Sequence, residues 1–263
     1  MQDETTIPDT ITLQDKRVAL VTGANQGIGL QIAKDLTAHG MIVLIGSRDI
    51  ERGEIAAREV GPNAIALQLD VTDQASITAA AVRVRQEFGR LDVLIQNAAI
   101  ASTSKCPQTG EELAFAGRPS NISLDDMHAI WNTNVFGVLA VYQAMLPILR
   151  NTPDARIINV SSGAGSLTLN SDRDFPLRPL FDAGYAASKA ALNALTLAMS
   201  IELEDEGITV NAVSPGYTKT RLTGFAGVES VEDGAAEAVR VALLGSEAPT
   251  GTFTHATMGA LPW

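Results

Sequence analysis

The sequence has few of the residues that staple secreted domains or bind nucleic acids. It holds one cysteine, Cys106, in 263 residues, so no disulfide can form within the chain. Cys106 stands in a polar stretch with no histidine nearby, and we interpret it as structural or incidental. Lys and Arg number 19 against 30 Asp and Glu, a net charge of −11. This acidic balance argues against nucleic acid and anionic membrane as partners.

Segments for export, membrane insertion or metal binding are also lacking. Residues 1–15 have neither the basic nor the apolar region of a signal peptide, and we interpret them as a flexible arm. No apolar run approaches the length of a membrane span, and no Cys/His spacing is typical of a metal site. We therefore expect a cytoplasmic protein without a metal.

Short apolar runs rich in β-branched residues alternate with longer helical patterns. Strands are predicted over 17–22, 41–46, 64–69, 91–96, 156–161 and 207–213, with a last edge strand near 251. Helices are predicted near 28–39, 51–60, 73–88, 124–150, 183–206 and 232–244. This alternation predicts an α/β fold, a doubly wound parallel sheet of about seven strands in a single domain over 16–263.

Three stretches rich in loop residues each follow a predicted strand, at 100–122, 163–181 and 215–231. They should therefore emerge at the carboxyl ends of the strands. In an open α/β sheet this is the edge where ligands bind.

The first predicted strand runs directly into the segment TGANQGIG, which opens a helix. Gly23, Gly27 and Gly29 permit a tight turn and a close approach of the backbone to a phosphate. The helix that follows presents unpaired N–H groups to an anion. The segment, which also contains Asn25, Gln26 and Ile28, therefore predicts a dinucleotide site.

The end of the second strand, IGSRD, bears on the choice of dinucleotide. Ser47 and Arg48 suit a 2′-phosphate, which favours NADP(H), whereas Asp49 facing the ribose would favour NAD(H). At the end of the third strand, Asp70 has two interpretations. It either bonds the adenine amino group or is a loop acid near the cap of the helix starting at Asp73.

The segment YAASK places Tyr185 and Lys189 four residues apart in a predicted helix, on one face and one turn from each other. An unperturbed tyrosine titrates near pH 10, and a nearby cation lowers that pKa. When hydride adds to a carbonyl carbon, the oxygen needs a donor and then a proton. We therefore expect the phenol to act as proton donor and the lysine to lower its pKa.

Taken together, the motifs resemble the classical short-chain dehydrogenase/reductase family from about Lys16 onward. The matching segments are TGANQGIG, LDV (69–71), QNAA (96–99), TNVFG (133–137), INVSS (158–162), YAASK and NAVSPGYTKT (211–220). The segment GSRDIERG and the final PW further resemble the carbonyl-reductase-like branch. The resemblance implies a Rossmann-type fold and reduction of ketones or aldehydes with NADPH.

The resemblance also implies residue roles. Tyr185 would be the general acid or base, and Lys189 would bond the nicotinamide ribose. Ser162 would hold the substrate carbonyl, and Asn134 would anchor a water linked to Lys189. The resemblance places the cofactor against the glycine segment, Asp70, Val71, Asn97, Ala98, Pro215, Gly216 and Thr218. Ser161 competes with Ser162, but alternation along a strand lets only one face the site.

Some positions differ from the family pattern. Gln26 stands where many NADP-using relatives carry a basic residue. The segment QNAA replaces the commoner NNAG, so Ala99 stands in place of a glycine. The segment 163–184 is longer than usual and could cover the substrate, with an apolar lining from Phe175, Leu177, Leu180 and Phe181. We interpret Asp172, Arg173, Asp174 and Arg178 as a solvated loop. The helix containing Tyr185 is apolar on more than one face, which favours a homo-oligomer over a monomer.

Three functions fit the sequence. The first is an NADPH-dependent carbonyl reductase of small or medium hydrophobic ketones or aldehydes, giving an alcohol. The second is an NAD-dependent alcohol dehydrogenase working oxidatively. The third is a non-catalytic NADP(H)-binding regulator, which would not need Asn134, Ser162, Tyr185 and Lys189 together.

Overall fold

The computed structural model describes residues 16–104, 110–245 and 247–263. The predicted N-terminal arm and Cys106 lie outside the described residues. The described residues fold around one β-sheet.

The sheet has eight strands among the described residues, in the order β3-β2-β1-β4-β5-β6-β7-β8. They are β1 Val18–Thr22, β2 Ile42–Ser47, β3 Ala64–Gln68, β4 Val93–Gln96, β5 Arg156–Val160, β6 Thr209–Ser214, β7 Phe253–His255 and β8 Gly259–Ala260. Strands β1 to β7 are parallel, and β8 pairs antiparallel with β7. The predicted parallel sheet is confirmed. The two-residue β8 is additional, since so short a strand has no periodicity to detect.

Helices cover both faces of the sheet, as expected from strands whose residues are buried on both sides. They are α1 Gly27–Ala38, α2 Ile50–Val60, α3 Gln74–Glu87, α4 Gly110–Ala116, α5 Leu124–Trp131, α6 Gly137–Leu149, α7 Leu167–Ser171, α8 Tyr185–Glu202 and α9 Val231–Ala242. One apolar layer packs α1, α2 and α9 on the sheet, and the other packs α3, α6 and α8. The sheet is therefore doubly wound.

The helix predicted near 124–150 is continuous but contains one π-helical turn, Asn132–Phe136, between α5 and α6. By length and composition alone, Leu124–Leu149 could cross a membrane, whereas the sequence patterns predicted no run of that length. Its most apolar window is 56% buried in the fold. We therefore interpret it as a core helix, because its inner face packs on α3 and the sheet.

The strand order reverses between β1 and β4, which opens a crevice at the carboxyl edge of the sheet. The chain leaves β1 into the glycine segment, β4 into Asn97 and β5 into Ser162. The topology thus brings the predicted cofactor and reaction residues to one edge.

Candidate active site

The predicted reaction residues meet where β5 ends and α8 begins. Tyr185 is the first residue of α8, and Ser162 caps the 3₁₀ turn that follows β5. A hydrogen bond with the Ser162 hydroxyl acts on the phenol of Tyr185. The Nζ of Lys189 lies 5.6 Å from the centre of the tyrosine ring. The helix register therefore places the ammonium group beside the ring, as the four-residue spacing predicts.

The structure separates the two candidate serines. Ser161 is buried, and its hydroxyl donates to Asn193 Oδ1 at 2.5 Å, away from the tyrosine. The Oγ of Ser162 accepts the backbone N–H of Ala164 at 3.1 Å and remains next to Tyr185. Alternation along β5 thus turns Ser162, and not Ser161, toward the phenol.

Burial dominates the protonation of this cluster. It raises the pKa of Tyr185 to about 12, although Ser162 lowers it, and the Asp182 carboxylate raises it further. Burial lowers the pKa of Lys189 to about 7. Burial thus reduces the positive charge of Lys189 at neutral pH, and the expectation that the lysine lowers the pKa of the phenol stays a prediction. The phenol, with its raised pKa, is protonated near neutrality.

Lys189 is held by the backbone. It is 2% exposed, and its Nζ donates to the carbonyl oxygen of Val160 at 2.7 Å. The adjacent turn packs closely on the same helix, because a Cβ at Gly165 would lie 2.7 Å from the backbone carbonyl carbon of Lys189. Only glycine at this position lets the serine turn approach α8 so closely.

The low pKa of Lys189 predicts a stability that rises with pH. Between about 7 and 10.5 the unfolded chain binds the lysine proton and the folded chain does not. The free energy of unfolding should therefore increase with pH in this window, by at most about 1.4 kcal/mol per unit. Urea unfolding of the wild type and of Lys189→Met at several pH values measures the difference. A wild-type curve that stays parallel to that of the variant would contradict it.

The start of α8 is fixed by Asp182, which the sequence analysis did not single out. Its Oδ1 accepts the N–H of Tyr185 at 2.6 Å, and its carboxylate also accepts the N–H groups of Gly184 and Ala186. Asp182 is buried, and a Cβ at Gly117 would lie 2.8 Å from its Cβ. An acid three residues before the helix was the available signal, since carboxylates commonly satisfy first-turn N–H groups.

Asn134 lies in the π-helical turn and is fully buried. Its Oδ1 accepts the N–H of Ile100, and its Nδ2 donates to the Ile100 carbonyl and to Ser188 Oγ, at 2.9 to 3.0 Å. Ser188 in turn donates to the Tyr185 carbonyl at 2.6 Å. Asn134 therefore joins the segment after β4 to α8. Its predicted link to a water stays a prediction.

The glycine segment forms a close-packed turn at the start of α1. Gly23 has φ +65°, a left-handed conformation, and a Cβ there would lie 3.0 Å from Ala98 Cα. A Cβ at Gly29 would lie 2.5 Å from Asn97 Nδ2 and 2.7 Å from the Gly23 carbonyl. Asn97 Nδ2 itself donates to the Thr22 carbonyl at 2.9 Å. Asn97 thus stabilises this turn through a hydrogen bond, and Ala98 packs against it.

The N-terminus of α1 suits a phosphate. Its cap residue, Gln26, makes no side-chain hydrogen bond to the helix, and the first turn has no acidic residue. The N–H groups and the positive end of the helix dipole are therefore left to an anion. Together with the glycine cradle, this fits a dinucleotide.

A cavity of about 280 Å³ adjoins this turn and is lined by Asn25, Gln26, Arg52, Ile55 and Arg221. Ser47 is buried and donates to the Asp49 carbonyl, and Arg48 is exposed and outside the lining residues. The Asp49 side chain caps α2 and pairs with Arg52 Nε at 3.3 Å. Arg52 and Arg221 are therefore phosphate candidates that the sequence analysis missed, because only the fold brings them together.

The remaining cofactor candidates line the same edge. Asp70 Oδ1 accepts the N–H and hydroxyl of Thr72, and Asp73 is the cap of α3. The hydroxyl of Thr218 donates to the Pro215 carbonyl at 2.9 Å and is buried. This geometry favours the loop interpretation of Asp70 and turns the Thr218 hydroxyl inward.

Two further cofactor candidates, Val71 after β3 and Gly216 after β6, pack closely on neighbouring segments. The carbonyl of Val71 would lie 2.6 Å from a Cβ at Gly137. Gly216 has φ +74° and packs against the Glu229 carboxylate, so only glycine suits this turn. Among the described residues, no group of three or more His, Cys, Asp or Glu side chains could hold a metal ion.

The long segment between serine and tyrosine forms a second cavity, of about 420 Å³, lined by Leu167, Asn170, Ser171, Arg178 and Phe181. Of the four predicted apolar residues only Phe181 lines it. Arg178 is exposed, in line with its interpretation as a solvated residue, but its Nε also donates to the Asn170 carbonyl at 3.1 Å and its side chain lines the cavity.

The three histidines lie in regular elements or at their ends. His39 ends α1 and bonds the Asp35 carbonyl, and His128 belongs to α5. His255 is buried in β7, where its Nδ1 accepts backbone N–H groups.

Comparison with known proteins agrees with this geometry. The family model described as short chain dehydrogenase matches residues 17–228. (−)-Isopiperitenone reductase from Mentha piperita is 32% identical, over 90% of this chain and 96% of its own. NADPH-bound carbonyl reductase from chicken fatty liver superposes with a TM-score of 0.77 at 31% identity, covering 94% of this chain and 99% of the other. The 3-ketoacyl-(acyl-carrier-protein) reductase from Brucella melitensis, complexed with NADH, has a TM-score of 0.76 at 26% identity, with coverages of 93% and 98%.

Proposed function

The chain belongs to the classical short-chain dehydrogenase/reductase family of oxidoreductases, and from this we propose that it transfers a hydride from NADPH to a ketone or aldehyde. The product is an alcohol, and the reaction is reversible. The observation that carries the proposal is the meeting of Ser162, Tyr185 and Lys189 beside the glycine turn.

In the proposed reaction, Ser162, Tyr185 and Lys189 each have a separate role. NADPH supplies the hydride when bound. The hydroxyl of Ser162 and the phenol of Tyr185 donate to the carbonyl oxygen as negative charge develops on it. Tyr185 then gives its proton to that oxygen, as general acid. Lys189 lies next to the phenol and orders the site through Val160.

The protonation state of Tyr185 supports its proposed role as proton donor in reduction. A pKa of about 12 keeps the phenol protonated at neutral pH, which suits a proton donor. Oxidation requires the phenolate as base, and burial disfavours that charge. The experiment is oxidation of NADPH and NADH over a panel of ketones and aldehydes. Binding of NADPH with no turnover on this panel or on alcohols with NADP⁺ would favour the non-catalytic regulator instead.

The preference for NADP(H) is supported by cations near the start of α1. Arg52 and Arg221 line the cavity there, and Arg48 lies at the end of β2, close in sequence to Arg52. The 31% identical chicken carbonyl reductase is NADPH-bound, whereas the Brucella enzyme carries NADH. In this proposal the arginines provide the preference for NADPH over NADH.

We expect Arg48→Asp and Arg52→Asp to move the preference toward NAD(H). Loss of a charge-assisted contact should raise the Kd of NADPH about tenfold or more and leave that of NADH nearly unchanged. Arg58→Asp, two turns further along α2, is the matched control. Fluorescence titration measures each Kd. An unchanged NADPH to NADH ratio in both variants would refute this assignment.

A homo-oligomer is proposed through an apolar face shared by α6 and α8. Leu197 and Ile201 of α8 are exposed, at 40% and 64%, and Phe136 at the start of α6 is 57% exposed. The two helices run side by side, since Tyr142 donates to Glu202 at 2.9 Å. A patch of this kind commonly marks an interface. Light scattering that gives the mass of a monomer would contradict it. The cytoplasmic location stays a prediction.

A further inference from the structure

The lining of the 420 Å³ cavity combines one cation with apolar and polar side chains. Leu167 and Phe181 supply apolar surface, Asn170 and Ser171 supply polar groups, and Arg178 supplies the positive charge. Its volume lies in the range of small-molecule sites. This arrangement suits a ligand with an apolar body and an anionic end.

Lining residues of the cavity are connected, through hydrogen bonds and chain neighbours, to both segments that carry the two proton donors. Asn170 Nδ2 donates to the carbonyls of Gly163 and Ala164, directly after Ser162, at 3.3 and 3.2 Å. Phe181 directly precedes Asp182, whose carboxylate fixes the N–H of Tyr185. A substrate whose carbonyl meets Ser162 and Tyr185 would therefore extend toward this cavity.

The guanidinium group of Arg178 is held by one hydrogen bond and has further N–H donors for a ligand. Its Nε is used by the Asn170 carbonyl, which orients the plane of the guanidinium group. Among the described residues no carboxylate oxygen lies within 4.0 Å of its nitrogen atoms. The two acids nearest in sequence, Asp174 and Asp182, are each four residues away. The N–H of Asp174 donates to Asp172 Oδ1 at 2.9 Å, and the carboxylate of Asp182 accepts N–H groups at the start of α8. Arg178 is exposed and lines the cavity, and its two outer nitrogens have no ionic partner in the described part of the chain.

We propose that Arg178 binds a carboxylate on the carbonyl substrate, so that the enzyme prefers aldehydes or ketones bearing a carboxylate across a ring or short apolar body. A planar guanidinium group pairs with a carboxylate through two parallel hydrogen bonds. The net charge of −11 repels anions at long range, so a local cation is needed to hold one. The inference rests on the proposed function and names its substrate class.

The test uses a matched pair of probes, para-formylbenzoate and its methyl ester, which differ in the charge. Arg178→Gln should raise the KM for the acid about tenfold or more and change the KM for the ester less than about twofold, with kcat little altered. Arg178→Lys keeps the positive charge but cannot form the two parallel hydrogen bonds, so its KM for the acid should lie between those of the wild type and Arg178→Gln. Arg173→Ala, in the same segment but outside the cavity lining, is the control and should behave as wild type.

Calorimetry with NADP⁺ present gives a readout that needs no turnover. The wild type should bind para-formylbenzoate more tightly than the ester, and Arg178→Gln should remove that difference. Equal binding of the two probes by the wild type, or an equal effect of Arg173→Ala, overturns the inference. Reduction of the ester with no preference for the acid overturns it while the proposed function stands. Selective binding of the acid without reduction of either probe supports it and counts against the proposed function.

Discussion

Tyr185→Phe is expected to lower kcat/KM for carbonyl reduction about 10²- to 10⁴-fold, the usual contribution of a positioned general acid. The change removes one oxygen atom and leaves the ring packed beside Lys189. The carbonyl oxygen then has no proton donor, because the hydroxyl of Ser162 can donate a hydrogen bond but is a much weaker acid than a phenol. Initial rates with saturating NADPH measure the loss.

The control for this variant is Tyr142→Phe. Tyr142 lies on α6 and donates to Glu202 at 2.9 Å, so the same atom is removed outside the site. It should cost about 1 kcal/mol of stability and leave kcat/KM near the wild-type value. NADPH affinity should be nearly the same in both variants and the wild type. Retention of more than about a tenth of the activity in Tyr185→Phe would exclude the phenol as the general acid.

The second large effect is expected from Gly29→Ala. The added methyl would lie 2.5 Å from Asn97 Nδ2, 2.7 Å from the Gly23 carbonyl and 3.0 Å from Ala24 Cα. None of these groups can move away without cost in free energy, because two belong to the backbone and the side chain of Asn97 is hydrogen-bonded to Thr22. Overpacking of this kind costs about 1–3 kcal/mol. The turn that would hold the cofactor moves with it, so we expect NADPH affinity to fall at least about tenfold.

Gly245→Ala is the matched control for Gly29→Ala, because nothing lies within 4 Å of a Cβ at that position. It should leave both the free energy of unfolding and NADPH affinity unchanged. Chemical denaturation and fluorescence titration give the two quantities. A Gly29→Ala protein that binds NADPH like the wild type would show that the glycine turn is not the cofactor cradle.

The regular elements were predictable because their patterns are local. The buried runs VALVT and RIINV became β1 and β5, and the glycine segment lies between β1 and α1 as predicted. The tyrosine and lysine spacing needs only helical geometry, so it too could be read from the sequence. Short elements such as α7 and β8 could not, since five or two residues carry no usable period.

What the sequence could not supply depends on contacts between distant segments. Arg52 and Arg221 are 169 positions apart, as the numbering shows, and only the fold places them at one cavity. The role of Arg178 depends on a turn that brings its Nε to Asn170. The pKa values of Tyr185 and Lys189 depend on how deeply both are buried, which a four-residue spacing does not report.

The central claim is that hydride passes from NADPH to a carbonyl carbon at a site ordered by Tyr185. The most direct measurement uses NADPH deuterated at both hydrogens of nicotinamide C4 and a carbonyl substrate found with the panel, with the alcohol analysed by mass spectrometry. We expect an alcohol that carries one deuterium on its carbinol carbon, formed by the wild type and nearly absent with Tyr185→Phe. An alcohol without deuterium, or equal labelled product from the variant, would contradict it.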